Sequence, residues 1–154
     1  MGFLKAKDII SGQEGTAFAT INGRNVEMFY VRAIEATVEK QKSEVKTLGK
    51  RGTQHKTTGW TGSGSMTIYA VTSEFIQMAI DYVKNGVDTY FDIKTTNSDP
   101  TSSIGRQTVV LLDVNLDSIP IVNLDTDTEF LEQDLDFTFD DLDLLEKFQE
   151  PTLG

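Results

Sequence analysis

From Trp60 to Tyr69 the chain alternates without a break, and this run constrains the fold more than any other stretch. Trp60, Gly62, Gly64, Met66 and Ile68 fall on one side, and Thr61, Ser63, Ser65, Thr67 and Tyr69 on the other. A period of two is the signature of a strand with one face toward a core and one toward water. The same segment, "GWTGSGSM", carries the glycine spacing of a phosphate-binding loop at Gly59 and Gly64. Such a loop places Lys and then Ser or Thr after its second glycine, and leads into a helix whose N-terminus holds the phosphate. Here Ser65 and Met66 follow, and the glycines run on into a strand. They mark close backbone approach or a bulge rather than a nucleotide site.

Strand signals recur on both sides of this run. Thr16–Ile21 alternates and ends at Asn22-Gly23, the favoured pair for a type I′ hairpin turn, with a return strand over Val26–Val31. The stretch "RAIEATVEKQKSEVKTL" is ambiguous. Ile34, Val38, Val45 and Leu48 fit a helical face, while Ile34, Ala36 and Val38 also alternate as in a strand. One helix is clear over 73–85: Ser73 can cap it, Phe75, Met78, Ala79, Tyr82 and Val83 form its apolar stripe, and Asn85-Gly86 stops it. Further strands are predicted over Thr89–Thr96, Gln107–Leu116 and Phe130–Phe139. In the last of these, Leu131, Leu135, Phe137 and Phe139 oppose Glu132, Asp134, Asp136 and Thr138. "NSDPTSSIG" reads as a loop, and "LLEKFQEPTLG" as an apolar patch followed by a frayed end. The expected fold is mainly β, a sandwich or barrel with one packed helix, in a single domain over 1–154.

Charge is distributed unevenly. Residues 1–60 carry ten Lys/Arg against six Asp/Glu, whereas residues 113–154 carry one against thirteen. A basic first part and an acidic last part can attract each other, within one molecule or between neighbours. With a net charge of −10, general affinity for nucleic acid is not expected, because phosphate neutralisation needs a basic face. No run of the sequence approaches the roughly 20 apolar residues of a membrane-spanning helix. Gly2 lacks the Ser or Thr at position 6 that myristoylation expects, since Ala6 stands there. The reading is of a protein made and kept in the cytoplasm, without a membrane.

Catalytic and ligand-binding constellations are hard to assemble from these residues. There is no cysteine and one histidine, His55, in a Lys- and Gly-rich stretch. A metal site needs several ligands and a catalytic triad needs an oriented partner. "LDTDTE", Leu124–Glu129, has neither the glycine that follows Asp-Thr in aspartic proteases nor the Gly and distal Glu of an EF-hand. Asp140, Asp141 and Asp143 interleave with Leu142 and Leu144 and read as a polar face beside a buried one. The expectation is a protein that is not an enzyme and holds no cofactor or metal.

The run "KSEVKTLGKRGTQHKTTGWTGSGSMTIYAVTSEF", Lys42 to Phe75, resembles the tail tube (core tail) proteins of PBSX-type defective prophages. "DVNLDSIPI" and "LDFTFDDLDLLEKF" are similar to that family's C-terminal part. The resemblance implies a β-barrel or sandwich with a flanking helix, forming hexameric rings that stack into the inner tube of a contractile tail, with sheath and baseplate proteins as partners. It implies assembly in the cytoplasm followed by residence in the tail of a virion or phage-like particle, either a DNA-carrying phage whose lumen can pass DNA without binding it specifically or a DNA-free killing device. It turns the ambiguous stretch into a strand over Ala33–Lys42. It also makes about 43–59 an extended basic loop reaching another subunit, with Lys46, Lys50, Arg51, His55 and Lys56 as interface candidates. Two faces are candidates for the lumen: Thr61, Ser63, Ser65 and Thr67, and Glu132, Asp134 and Asp136. The rival reading is a monomeric ligand-binding β-module, using Trp60 and Tyr69 as carbohydrate platforms or the Asp125–Glu129 cluster for calcium.

Overall fold

The computed structural model describes the chain apart from residues 1, 3, 10, 11, 13, 14, 29, 128–130, 152 and 154. Eight strands and one helix follow a 3-10 turn at Ala6–Asp8: β1 (Gly15–Ile21), β2 (Arg24–Glu27), β3 (Val31–Val45), β4 (Gln54–Tyr69), α1 (Glu74–Asn85), β5 (Phe91–Ser98), β6 (Arg106–Leu116), β7 (Glu132–Phe139) and β8 (Asp141–Glu146). All pairings are antiparallel, in the order β2-β1-β5-β6-β7-β4-β3, with β8 also on β6. The path does not close on itself, so β2 and β3 are edges. Phe91, Ile93, Leu111 and Val114 from one half of the sheet share a single core with Met66, Ile68, Leu135 and Phe137 from the other.

β6 joins the halves. Its Thr108–Leu112 segment pairs with β8, while Asn115 and Leu116 pair with β7. Between them Asp113 takes a φ of 56°, opposite a register shift in β5. Such a bulge bends a strand and increases its twist, which carries β6 from one half to the other.

The type I′ turn forms as expected, with φ of 52° at Asn22 and 81° at Gly23. The return strand is shorter than Val26–Val31, however. Met28 N–H still bonds to the Ala17 carbonyl, but Val31 N–H turns back to the Met28 carbonyl, and Val31 opens β3. Burial of Met28 and Tyr30 draws the chain into the core at this point. The fifth strand lies at Phe91–Ser98 rather than Thr89–Thr96. The ambiguous stretch is a strand through Val45, fixed by long-range pairing with β4 from Val31↔Ile68 to Val45↔Gln54.

Helix α1 is where it was expected, stopped by Gly86 in the left-handed conformation. Two details differ. Ser73 makes no side-chain cap, and the Glu74 N–H bonds instead to Thr72 Oγ1 at 3.3 Å. The apolar stripe is buried only at its start: Phe75 packs edge-on to Tyr30 and beside Phe91, while Tyr82 and Val83 are exposed. "LLEKF" also begins inside a strand, β8, whose Leu142, Leu144 and Leu145 remain exposed, so no buried face forms there.

Candidate assembly surfaces

Strands β3, β4 and β7 lie side by side, and their register makes one surface of the two faces nominated for the lumen. Tyr69 is level with Glu132, Thr67 with Asp134, Ser65 with Asp136, and Ser63 with Thr138. On the other flank β3 adds Ala33 beside Thr67, Glu35 beside Ser65, Thr37 beside Ser63, and Glu39 beside Thr61. A column of hydroxyls thus runs between two rows of carboxylates. Thr67 Oγ1 donates to Asp134 Oδ1 at 2.8 Å, and Gln41 Nε2 to Thr61 Oγ1 at 3.1 Å. At the margin Arg32 pairs with Glu132 at 3.2 Å. Glu35, Thr37 and Glu39 escaped the sequence reading. Their i, i+2 spacing was visible, but acquires meaning only once β3 is known to be a strand beside β4.

The reverse side of β4 explains its glycines. A Cβ built on Gly62 would lie 2.5–2.7 Å from three carbons of the Phe139 ring, and one on Gly64 at 2.5–2.7 Å from two carbons of Phe137. Both rings are buried. The glycines are required for sheet-to-ring packing. Trp60, on the same side, leans on Phe139 with ring centroids 6.3 Å apart, so it belongs to the rim of the core.

Beyond Gly62 strand β4 loses its β7 partner and continues with β3 alone as a two-stranded arm. Lys46, Lys50 and Arg51 sit in the arm's turn, whereas His55 and Lys56 lie within β4, opposite Glu44 and Ser43. The basic segment at 43–59 is therefore mostly hairpin, with only 46–53 outside the strands, because backbone pairing between β3 and β4 continues without a core beneath it. Every residue from 41 to 58 is exposed, and Leu48 at the tip is fully so. A register shift between Gln41 and Lys42 marks the arm's base, where Thr58 Oγ1 donates to the Gln41 carbonyl.

Three ion pairs join described residues: Arg24 with Glu74, Arg32 with Glu132, and Arg106 with Glu146. None uses an arm cation, or Asp134, Asp136, Asp140, Asp141 or Asp143. The fold shifts the titration of Asp8 and Tyr30. Asp8 is buried, and its Oδ1 accepts from Ser103 N–H and Oγ–H at 2.8 and 2.7 Å. These bonds hold its carboxyl below the usual range and tie the first turn to the 99–105 loop. Burial, with Glu74 nearby, pushes the Tyr30 phenol up to about 12.

Among the described residues no group of three or more His, Cys, Asp and Glu is arranged to hold a metal, and the calcium reading of Asp125–Glu129 falls partly outside them. A cleft of about 830 Å³ opens between β3 and the other half of the sheet, walled largely by Ala17, Ile34, Ala36, Val109 and Leu111. Thr16, Thr95, Thr96, Asn97 and Gln107 add polar groups to its lining, and Glu27 and Arg32 are its charged residues.

The fold is thus an open antiparallel sheet with a polar outer face, one helix and a projecting hairpin. The family model "Phage tail tube protein" matches residues 2–146, and the chain belongs to that family. It is 47% identical over 147 residues to the phage-like element PBSX protein XkdM of Bacillus subtilis (strain 168), covering 96% of this chain and 97% of that one. Two solved structures share the fold at low identity. The sheath/tube terminator of the extracellular contractile injection system PVC in its extended state superposes with a TM-score of 0.68 at 9% identity, covering 92% of this chain and 100% of that chain. The sheath-tube complex of the same system contains a chain with a TM-score of 0.66 at 10% identity, covering 90% and 93%.

Proposed function

We propose that the chain forms the inner tube of a contractile phage tail or phage-like particle, six copies to a ring and rings stacked end to end. The observation that carries this reading is the polar face that β3 shares with β4 and β7, the latter two backed by core, bordered by an unpaired sheet edge. Edges left open invite pairing with a neighbour. Head-to-tail contacts of that kind close into rings or run on as filaments. The face of Thr61, Ser63, Ser65, Thr67, Glu35, Glu39, Glu132, Asp134 and Asp136 then lines the lumen. Its carboxylates repel phosphate, so DNA or another polyanion slides through without sticking. Helix α1, held by Phe75 against Tyr30 and Phe91 and by Glu74 against Arg24 of β2, turns toward a surrounding sheath. Baseplate proteins meet the tube at its end, and the arm with Lys46, Lys50, Arg51, His55 and Lys56 bridges subunits. The protein does its work in the particle after assembly in the cytoplasm.

Sedimentation velocity over a concentration series tests this reading. A tube subunit passes from monomer to ring-sized and then much larger species as concentration rises. A chain that stays monomeric throughout is a binding module, and the reading fails.

A further inference from the structure

Strand β8 combines three features that a finished surface lacks. Its outer edge has no strand partner among the described residues. Leu142 and Leu144 are level with Leu111 and Val109, on the core side of the sheet, yet they are 40% and 52% exposed while Leu111 is 4% exposed. The core is uncovered there because β7 and β8 run into one another at Asp140, and the chain passes from one half of the sheet to the other. Finally, Asp140, Asp141 and Asp143 have no cationic partner among the described residues. An unpaired edge carrying exposed leucines is an aggregation hazard unless something covers it.

The arm has the complementary set. It is a two-stranded hairpin, marginal by itself in water, with free backbone edges, an exposed Val45 and Leu48, and the cations Lys42, Lys46, Lys50, Arg51 and Lys56 outside the ion pairs that join described residues. Arm and β8 leave the same corner of the molecule, at Gly62 and Phe139, along different halves of the sheet. No hydrogen bond or ion pair between described residues joins them within one copy. We propose that β8 is the docking surface for the arm of a second copy: the hairpin lies along the free edge, its tip covers Leu142 and Leu144, and its cations meet Asp140, Asp141 and Asp143. This rests on the tube reading and names the acceptor which that reading leaves open. Strand addition gives affinity through the backbone, while charge sets the register and the partner. Each copy offers one arm and one acceptor, so the contact propagates.

The chain has no cysteine, so introduced thiols report only the contact they are placed to test. A chain with Leu48→Cys is mixed with a chain with Leu144→Cys, assembled and oxidised beside a wild-type sample. The expected product is a disulfide-linked heterodimer, absent when Leu48→Cys is mixed instead with Ser63→Cys from the polar face. Charge exchange gives an independent readout. K46E/K50E/R51E alone and D140K/D143K alone should each raise the concentration needed for assembly about ten-fold, as the loss of a few exposed ion pairs would. The two sets combined in one chain should restore it. Assembled tubes without the 48–144 link, or without rescue by the combined chain, overturn the acceptor and leave the tube reading standing. A wild type that never assembles overturns both.

Discussion

The ring of Phe137 occupies the space that a side chain at Gly64 would need, with two ring carbons 2.5–2.7 Å from where a Cβ would stand. Phe137 is fully buried and cannot swing aside, and the Glu35 carbonyl closes the position from the β3 side. Alanine has a better intrinsic strand preference than glycine. At an open position Gly64→Ala would therefore be neutral or stabilising. Here it should cost about 1–3 kcal/mol, the usual range for overpacking a core. Ser63→Ala, next door on the polar face, should stay within about 0.5 kcal/mol. Urea denaturation of both variants decides. A neutral Gly64→Ala would mean that Phe137 is not held against β4.

Asp113 gives the opposite expectation. Its φ of 56° is a conformation that L-residues adopt at a cost, and its N–H, which donates to Asp92 Oδ1 at 3.2 Å, survives any substitution but proline. Asp113→Gly should stabilise by about 0.5–1 kcal/mol, and Asp113→Ala should destabilise by a similar amount. The order Gly, Asp, Ala in melting temperature tests the bulge. If Ala matches Gly, β6 does not turn there.

Tyr30 makes stability depend on alkaline pH. Its phenol ionises near 10 when unfolded and near about 12 when folded. Below the unfolded value the two states bind the proton equally, and the contribution is complete. Between the two values the unfolded chain releases the proton while the folded chain keeps it, so stability falls as pH rises. Denaturation midpoints measured across this window should drop more steeply for the wild type than for Tyr30→Phe. Parallel slopes would remove Tyr30 as the cause.

Phe75 should dominate the stability that α1 contributes. It is buried against Tyr30 and Phe91, so Phe75→Ala should cost about 3–5 kcal/mol. Tyr82→Ala and Val83→Ala, on the exposed end of the same stripe, should each cost under about 0.5 kcal/mol in the monomer. Chemical denaturation of the three variants checks the ranking. Comparable losses at Phe75 and Val83 would mean that the whole stripe is covered.

What was legible in the sequence follows from where each signal resides. The alternation of β4 is local, because Met66 and Ile68 are buried while Thr61, Ser63 and Ser65 are exposed, and both halves of the pattern show in the residues themselves. Strand β3 lacks that contrast. From Glu35 to Val45 every residue is exposed, so Glu and Lys on either side fit a helix as well as a strand. Only pairing with β4, remote in sequence, decides between them. β8 failed for the reverse reason: its leucines look like core but are exposed in the subunit. The helix stripe overstates burial in the same way at Tyr82 and Val83. That Ser63, Ser65, Asp134 and Asp136 form one surface is a fact of register between strands far apart in the chain, and no local pattern contains it.

Electron cryomicroscopy of the concentrated protein at low salt tests the central claim most directly. The account predicts stacked six-fold rings around a lumen, with Ser63, Ser65, Asp134 and Asp136 facing the channel and α1 on the outer wall. Tubes in which the β3–β4–β7 face lies buried between subunits or outside would contradict it, as would a sample holding only monomers at every concentration.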